Sequence, residues 1–431
     1  MPALEERAAL TQEINDFRKA LPGNREVNAP KFIELCSLIG RAKALYGGDI
    51  KAVPTLTFNH LHFLVDVAFA DDTLPSISFQ ACQFHKKVTF THVTFANDLA
   101  ISASHFHRST EFSGCIFSDR VNADDVQFRS SVDFSRSKFS ENLYMRKAEF
   151  RQEARFAYCL FSRNSYFHDT QFHSQADFSF ARFFSVWFNN ALFKEATSFS
   201  GAQFRPWAPQ FHNAQLHHDT SFAGAIFDAY EHEQDWRAYR TLKQKMSEVR
   251  AQEEESFFFA AEQRARRRFR PHYYPAWSDY FTRNGFRLAG SRLWDALTTL
   301  NPHTAVARSS FNTVVSFFYD YVSNYGQNIA RPFLWWLLQY FTFAGIYLGH
   351  ANQIASSASW INSSLAREPL LASVLSLQNS LNPLALFSRE PLVTVTSLPM
   401  FLVAVTQAIA SIVFLALALL AIRRRFHKGS E

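Results

Sequence analysis

Phenylalanine recurs along the middle of the chain at a spacing that fits neither a helix nor a single strand. One series has a phenylalanine every eleven residues, and a second series falls between its members, so the steps alternate between five and six residues. Helices repeat their faces every 3.6 residues and strands every two, whereas a fixed longer period is typical of a solenoid. This ladder consists of Phe84, Phe90, Phe95, Phe106, Phe112, Phe117, Phe128, Phe134, Phe139, Phe150, Phe156, Phe161, Phe172, Phe178 and Phe183.

The departures from phenylalanine indicate the length of one coil. When the chain is arranged at twice the eleven-residue spacing, the two series form four columns, and three of these columns contain phenylalanine alone. The fourth column holds Phe79, Ile101, Ala123, Met145 and Phe167. We therefore predict a coil of about 22 residues with four sides, each of which places one large side chain inward.

A second set of inward positions is predicted two residues before most members of the ladder. These positions carry small or short side chains, among them Cys82, Ser104, Cys115 and Cys159, and strand alternation points them toward the interior. Four cysteines in 431 residues are too few and too scattered for a disulfide framework or a zinc site. We therefore expect three of them to be buried free thiols.

The repeated unit resembles the pentapeptide-repeat family, whose five-residue unit has a central leucine or phenylalanine and an alanine two positions earlier. The segments that carry the resemblance are FSFARF (178–183), FNNALF (188–193), FSGAQF (199–204) and FAGAIF (222–227). The resemblance covers roughly residues 55–230 and implies an all-β solenoid, namely a right-handed, four-sided parallel β-helix. This sequence departs from the family pattern by inserting a sixth residue at every second side, and we expect that residue to bulge at a corner.

Helical patterns flank the ladder on both sides. Residues 3–20 and 30–46 predict two helices, which we assign to an N-terminal cap over residues 1–54, because an uncovered first coil would pair with other chains. After the ladder, apolar residues return to helical spacing. Residues 231–271 therefore predict a helical hairpin that caps the other end of the solenoid.

Two uncharged segments toward the C-terminus predict membrane spans. They are residues 333–349 and 398–422, within a membrane region of residues 331–431. The linker before them, 272–330, is rich in Tyr, Trp and Arg, as suits the headgroup zone. Basic residues precede the first span and follow the second, so both termini are expected in the cytoplasm. Between the spans, residues 369–388 predict an interfacial or re-entrant helix.

The C-terminal part also resembles a subgroup of bacterial pentapeptide-repeat membrane proteins, through AYRTLKQ and NYGQNIARPFLWW. The resemblance implies a multi-pass protein of the bacterial inner membrane, with two helices around a short loop as in simple ion channels. A potassium-channel filter, Thr-x-Gly-Tyr-Gly, does not occur in the sequence. The candidate polar or pore-lining residues are Gln339, Gln378, Asn379, Asn382 and Gln407. For Gln339 and Gln407, hydrogen bonding between helices is the competing interpretation.

Assembly of several copies is expected from the polar side chains within the spans. Gln339, Thr406, Gln407 and Ser411 need partners in hydrocarbon, and the two spans of one chain offer few. The two glutamines are expected at different depths, so they need not pair with each other. We therefore predict a homo-oligomer formed through residues 331–425.

Catalytic motifs do not occur in the sequence: HExxH, a nucleophile elbow, a glycine-rich phosphate loop and paired carboxylates are all missing. We expect no catalytic residue, no cofactor, no metal and no enzymatic activity. The 16 histidines lie mostly on the solenoid and are interpreted as exposed surface. His217 and His218 are the one pair considered as metal ligands.

Three functions remain open. The first is a membrane-anchored scaffold, whose cytoplasmic solenoid binds an unknown protein partner. The second is an oligomeric, channel-like protein or sensor regulated by the solenoid. The third is a DNA mimic that protects topoisomerases, but such mimicry needs a dense negative face, and residues 55–230 hold 15 Lys and Arg against 17 Asp and Glu. The expected partners are membrane lipid, further copies of the chain and a protein, with no nucleic acid.

Overall fold

The computed structural model describes residues 4–21, 23–46, 49–229, 232–268, 315–326, 328, 330–356, 361, 367–383 and 392–426. Two compact units are present, Met1–Phe269 and Arg270–Glu431. The predicted linker lies outside the described residues as far as residue 314. The first unit is called the solenoid unit below, and the second the helical unit.

The solenoid unit is a parallel β-solenoid of about eight coils, built from three sheets. Sheet 1 contains Glu26–Val27, His62–Phe63, Gln83–Phe84, His105–Phe106, Gln127–Phe128, Glu149–Phe150, Gln171–Phe172 and Leu192–Phe193. Sheet 2 contains Leu56–Thr57, Thr73–Leu74, Ile77–Ser78, Thr94–Phe95, Leu99–Ala100, Ile116–Phe117, Val121–Asn122, Lys138–Phe139, Leu143–Tyr144, Leu160–Tyr166, Arg182–Trp187, Gln203–Phe204 and Ile226–Phe227. Sheet 3 contains Val67–Ala70, Val88–Thr91, Thr110–Glu111, Val132–Asp133, Ala154–Arg155, Ala176–Asp177 and Thr197–Ser198.

Four sides arise from three sheets because sheet 2 covers two of them. Leu160–Tyr166 and Arg182–Trp187 run through a corner without a break, and each of them pairs with strands on both adjacent sides. The strands on the other two sides form sheets 1 and 3. The four columns of the sequence therefore correspond to four stacks of strands.

Strand register confirms the predicted coil length of about 22 residues. Phe84, Phe106, Phe128, Phe150 and Phe172 pair in turn, each with the phenylalanine one coil later. The steps from Phe63 to Phe84 and from Phe172 to Phe193 are one residue shorter than those between, whereas the final step, from Phe204 to Phe227, is one residue longer. Within sheet 2 the change occurs between Phe161 and Asn164, where the register shifts by one.

The corners of the coil explain the alternation of five and six residues. Each five-residue side of the central coils ends in a turn with one residue of positive φ, such as Ala81 two positions after Phe79. The extra residue of the six-residue side lies in a bend between sheets, as between Phe84 and Val88. The extra residue thus lies at a corner, as expected, and in the strand Leu160–Tyr166, which runs through a corner, it gives a register shift typical of a β-bulge or a similar irregularity.

The interior of the solenoid is a set of stacked aromatic rings. All fifteen residues of the ladder are at most 4% exposed. The ring centroids of Phe112 and Phe134 lie 4.9 Å apart and those of Phe134 and Phe156 5.0 Å apart, with nearly parallel planes. Rings of neighbouring columns meet edge to face, as Phe128 does with Phe134. Stacked and edge-to-face contacts of this kind stabilise a core beyond the burial of its area.

Helices close both ends of the solenoid. At the N-terminal end, α1 (Leu4–Lys19) and α2 (Ala29–Leu45) cover the first coil, and the ring of Phe17 meets that of Phe58 edge to face. At the other end, α3 (Glu233–Glu248) and α4 (Gln252–Arg268) pack on each other and on the last coil. A short 3₁₀ helix, Ile50–Ala52, precedes the first coil.

The helical unit contains α5 (Ala330–Leu348), α6 (Arg367–Leu381) and α7 (Leu398–Phe426). Residues 315–323 are also helical. The 3₁₀ helix Ala351–Gln353 and the strand Ile354–Ser356 follow α5, and that strand pairs antiparallel with Val393–Val395, which precedes α7. Because this antiparallel strand pair holds the end of α5 beside the start of α7, the two helices run antiparallel.

Among the described residues, one helix segment is long and apolar enough to cross a membrane, Leu398–Arg423 within α7. The other predicted span forms α5, whose 19 residues include two tryptophans, two tyrosines, an arginine and a glutamine, and these lower its mean hydropathy. By length and composition the described residues therefore contain one candidate span, and the two-span arrangement stays a prediction.

Candidate functional site

The helical unit buries a group of polar side chains beside a small apolar core, which includes Leu371, Leu375 and Met400, and it exposes many large apolar side chains. Gln339, Ser376, Asn379, Gln407 and Ser411 are buried. The exposed side chains of the same helices are large and apolar: Phe333, Leu334, Leu338, Phe341, Leu377, Leu381, Leu402, Ile409, Ile412 and Leu419. In a water-soluble helical bundle the apolar stripe faces the core. The reversed arrangement suits helices surrounded by hydrocarbon.

Gln407 is the centre of the buried polar cluster. Its side-chain nitrogen donates to the carbonyl and hydroxyl oxygens of Ser376, at 3.0 and 2.8 Å, and to Ser380 Oγ at 3.1 Å. Its side-chain oxygen accepts from the Tyr347 hydroxyl at 2.7 Å and from Asn379 Nδ2 at 3.3 Å. One amide on α7 thus binds both α5 and α6.

Gln339 extends this cluster along α5. Its side-chain nitrogen donates to the Gln407 carbonyl oxygen at 3.0 Å and to Ser411 Oγ. Two buried acceptors, Gln339 Oε1 and Asn379 Oδ1, have no hydrogen-bond partner among the described residues. The cluster is therefore nearly satisfied within one chain.

This geometry corrects two expectations from the sequence. Gln339 and Gln407 were expected to lie apart, but they bond to each other because α5 and α7 are antiparallel neighbours. The polar groups were also expected to lack partners within one chain, yet the serines and Asn379 of α6 supply them. The helix α6 thus supplies most of the partners that a second chain was expected to supply, and the homo-oligomer stays a prediction.

The remaining candidates for polar or pore-lining residues lie elsewhere. The side-chain nitrogen and oxygen of Gln378 bond to the backbone carbonyl and amide of Val393, at 3.2 Å in each case. Gln378 therefore ties α6 to the antiparallel strand pair. The side chain of Asn382 is exposed just beyond α6. Of the five candidates, the structure brings Gln339, Asn379 and Gln407 together. Residues 384–388 of the predicted interfacial or re-entrant helix lie outside the described residues.

On the solenoid, three aromatic side chains stack on the outer surface of sheet 2. Tyr144, Tyr166 and Trp187 follow one another in register, with ring centroids 5.1 and 4.9 Å apart. All three are half-buried. The Arg146 guanidinium lies 5.4 Å from the Tyr144 ring and forms an ion pair with Asp124. We call this set the outer aromatic ladder. Its members directly precede Met145 and Phe167 of the fourth column and Phe188 one coil later, so the spacing of the outer aromatic ladder is visible in the sequence.

Two further clusters on the solenoid have a simple structural account. His217 Nδ1 and His218 Nε2 lie 3.7 and 3.4 Å from an Asp219 oxygen, but His217 Nδ1 already accepts a hydrogen bond from the Asp219 amide. A cleft of about 250 Å³ on sheet 3 is lined by charged side chains that pair with each other, such as Arg155 with Glu153 at 2.7 Å.

Comparison with known families bears on the central coils. Residues 134–182 match the family model described as pentapeptide repeats (9 copies). These central coils are therefore similar to pentapeptide repeats. The matched segment contains the ladder from Phe134 to Phe178, which lies within the coils of full length. No curated protein and no solved structure matches the chain.

Proposed function

We propose that the chain is a membrane-anchored scaffold, in which the helical unit is embedded in the bilayer and the pentapeptide-repeat solenoid binds a protein partner. The observation that carries the anchoring is the inverted polarity of the helical unit. Gln407 makes five side-chain hydrogen bonds inside the unit, while Leu402 and Ile409 on the same helix are more than half exposed. Apolar side chains in that position are stable in lipid and unfavourable in water.

A scaffold role follows from where the solenoid keeps its functional groups. Its interior is filled by stacked rings, so the chemistry available to a partner lies on the outside. The outer aromatic ladder offers Tyr144, Tyr166 and Trp187 beside Arg146, and Tyr, Trp and Arg are enriched in protein interfaces. We propose this surface as the partner-binding site.

We further propose a multi-pass protein of the bacterial inner membrane, with α5 and α7 as spans and both termini in the cytoplasm. The antiparallel arrangement of the two helices places Arg331 and Arg423 toward the same end of the pair. Cationic residues on one side are what the positive-inside rule requires of a cytoplasmic face. In this arrangement α6 is a re-entrant or interfacial helix.

Membrane extraction tests the anchoring. The full chain should stay in the pellet when cell membranes are washed with alkaline carbonate, whereas residues 1–268 alone should be soluble. A full chain found in the supernatant would disprove the anchor.

Reporter fusions test the topology: a fusion after Arg425 should report the cytoplasm and one near residue 357 the outside. An external C-terminus would instead make α6 a complete span.

Photo-crosslinking tests the scaffold. A photoreactive amino acid at Tyr166 should give a discrete adduct in cells, and the same group at Ser118, on another side of the solenoid, should not. Adducts of equal yield at both positions would argue against a specific surface.

Light scattering in mild detergent tests the homo-oligomer. A monomer would remove both that assembly and the channel-like alternative, whose candidate pore residues bond to each other inside one chain.

A further inference from the structure

Sheet 1 carries a continuous row of basic side chains along its outer surface. The residue directly after each phenylalanine of this sheet points outward, and in six consecutive coils it is histidine, arginine or lysine. The backbone amide of each of these residues bonds to the carbonyl of the phenylalanine one coil earlier, so the row is in register. We call it the basic stripe: His85, His107, Arg129, Arg151, His173 and Lys194. At about 4.8 Å per coil it is about 24 Å long.

Repulsion within the basic stripe is expected to lower the stability of the solenoid. Side chains in register on adjacent strands lie close together, and like charges in such positions destabilise a sheet. Glu149 is a carboxylate beside the stripe, and it lies 3.1 Å from Arg151 and 3.2 Å from His173. Arg129 is exposed and has no ion pair among the described residues. Lys194 contacts His173 Nδ1 at 2.8 Å. Glu149, with Glu26 near His85 at the N-terminal end, therefore faces three permanent cations and three histidines.

The histidines make the charge of the stripe adjustable. His85 and His107 stack with ring centroids 4.8 Å apart. Burial lowers the pKa of both, and the cation of Arg129 lowers the pKa of His107 further. A nearby anion would favour their protonated forms. The stripe can thus gain positive charge when an anionic surface approaches.

The face around the stripe restricts the kind of partner. Its backbone groups already bond to the neighbouring coils, so an added peptide strand would find no free edge. The other outward positions of this sheet in the described coils are Gln, His, Glu and Leu, without the Tyr, Trp or Phe on which unpaired bases stack. What the face offers is a flat row of cations.

We propose that the basic stripe binds the anionic headgroups of the bilayer in which the helical unit is anchored. Such headgroups supply many phosphates on an extended surface, and basic side chains near an anionic leaflet are attracted to it. The choice of a bilayer as the partner rests on the proposed anchoring, because Leu398–Arg423 would bring the solenoid within reach of lipid. The charge pattern of the basic stripe does not depend on the proposed anchoring.

A reporter cysteine in the full chain tests this binding. In a Cys36→Ser background, Gln127→Cys lies beside the stripe, and Ser118→Cys lies on another side and is equally half-buried. Each protein is reconstituted in nanodiscs of phosphatidylcholine or of equal parts phosphatidylcholine and phosphatidylglycerol, and labelling by a neutral maleimide is followed by mass spectrometry. The rate at Gln127→Cys should fall about tenfold in the anionic discs and recover in concentrated salt. The rate at Ser118→Cys should not change.

Two charge variants show whether the stripe is responsible. Arg129→Gln/Arg151→Gln/Lys194→Gln should abolish the protection. Lys138→Gln/Arg163→Gln/Arg182→Gln, which removes the same charge from exposed positions of sheet 2, should retain it. Glutamine already occupies outward positions of sheet 1, and equal melting temperatures confirm that both variants fold.

Three results would overturn the proposal. The first is equal labelling in the two kinds of disc, and the second is protection that survives the stripe variant. In the third, poly-aspartate protects Gln127→Cys in neutral discs while anionic lipid does not, which would identify an acidic protein as the partner. Failure of the anchor is separately visible, because the chain would not elute with the discs. The soluble chain would then be labelled with and without added anionic vesicles, with the same criteria.

Discussion

The thiol of Cys159 donates a hydrogen bond to the carbonyl oxygen of Phe134, one coil earlier, at 2.9 Å. The same bond recurs along the solenoid, from Cys115 to Phe90 at 3.0 Å and from Ser104 to Phe79 at 2.6 Å. The small inward positions are therefore more than spaces for short side chains. Several of them bind the backbone of the preceding coil at its tightest turn.

These thiols should be unreactive in the folded protein. Burial raises the pKa of Cys82 and of Cys115 to about 12, and it also raises the pKa of Cys159. Because the thiolate is the reactive form, we expect iodoacetamide at pH 8 to modify the half-buried Cys36 at least about tenfold faster than these three, as measured by mass spectrometry. Urea should remove the difference. Fast native labelling of Cys159 would contradict the described packing.

Loss of one ring from the ladder should be costly. Phe134 is stacked between Phe112 and Phe156, so Phe134→Ala leaves a cavity and should lower the free energy of unfolding of residues 1–268 by about 3–5 kcal/mol. Both caps are included in this segment because Phe17 and Phe258 pack on the terminal coils. Phe180→Ala, at an exposed position, is the matched control and should cost much less. Equal denaturation midpoints would refute the stacked core.

Glycine at one corner is required for space as well as for backbone conformation. Gly201 and Gly224 have φ of +68° and +67°, but a Cβ on Gly201 would lie 2.6 Å from the Phe180 ring, while one on Gly224 has no atom closer than 4.0 Å. Gly224→Ala should cost about 1 kcal/mol for backbone strain alone, and Gly201→Ala should cost more. Thermal unfolding of both variants in a Phe180→Ala background checks this, since the excess should then disappear.

The histidines of sheet 1 should make stability depend on pH. Burial lowers the pKa of His85, His105 and His107, with Arg129 adding to the effect at the last two, while Glu26 opposes it at His85 and Glu149 at His105. The unfolded chain then binds more protons below about pH 6.5, so stability is complete above that pH and falls as the pH decreases. His85→Gln/His107→Gln should flatten the fall in melting temperature. An unchanged profile would assign the fall to other groups.

The buried cluster of the helical unit should tolerate little change at its centre. Gln407→Leu removes the acceptor of the Tyr347 hydroxyl and the donor to Ser380 Oγ, and leaves Asn379 Nδ2 bonded only to the Tyr347 oxygen, so it should destabilise the unit by about 1–3 kcal/mol. Thr406→Val is the matched control, because the Thr406 side chain is exposed on the same helix and bonds to Leu402 of its own helix. Thermal unfolding in detergent measures both. A neutral Gln407→Leu would show that the cluster adds nothing to stability.

The solenoid could be predicted from sequence because the spacing of its phenylalanines equals the number of residues per side and per coil. Phe84 and Phe106 are one coil apart and pair in register, so position along the chain gives position in the coil. The orientation of α6 could not be predicted in the same way, although a helix was expected there. Its apolar and polar faces are visible in the sequence, but the pattern does not say whether Leu377 or Asn379 faces the other helices, because this depends on whether the surroundings are water or lipid.

The basic stripe and the outer aromatic ladder have sequence signals as clear as that of the core. His85, His107 and Arg129 each follow a ladder phenylalanine by one residue, and Tyr166 precedes Phe167. An analysis restricted to large inward residues does not find them. The bonds of Cys159 and Ser104 to backbone carbonyls are different, since nothing in the sequence tells such a side chain from a space-filling one.

Each coil of the solenoid contacts the coil before it and the coil after it, and its inward residues stack at the same places in every turn. The molecule can therefore change its length in whole turns without a new core having to be found. Removing one whole coil, from Phe117 to Lys138, would join two coils that already have compatible edges, whereas removing half a coil would bring strands of sheet 1 over those of sheet 2. Duplication or loss of one coil would therefore change the length of the solenoid and the number of charges in the basic stripe. The packing of the remaining coils would stay the same.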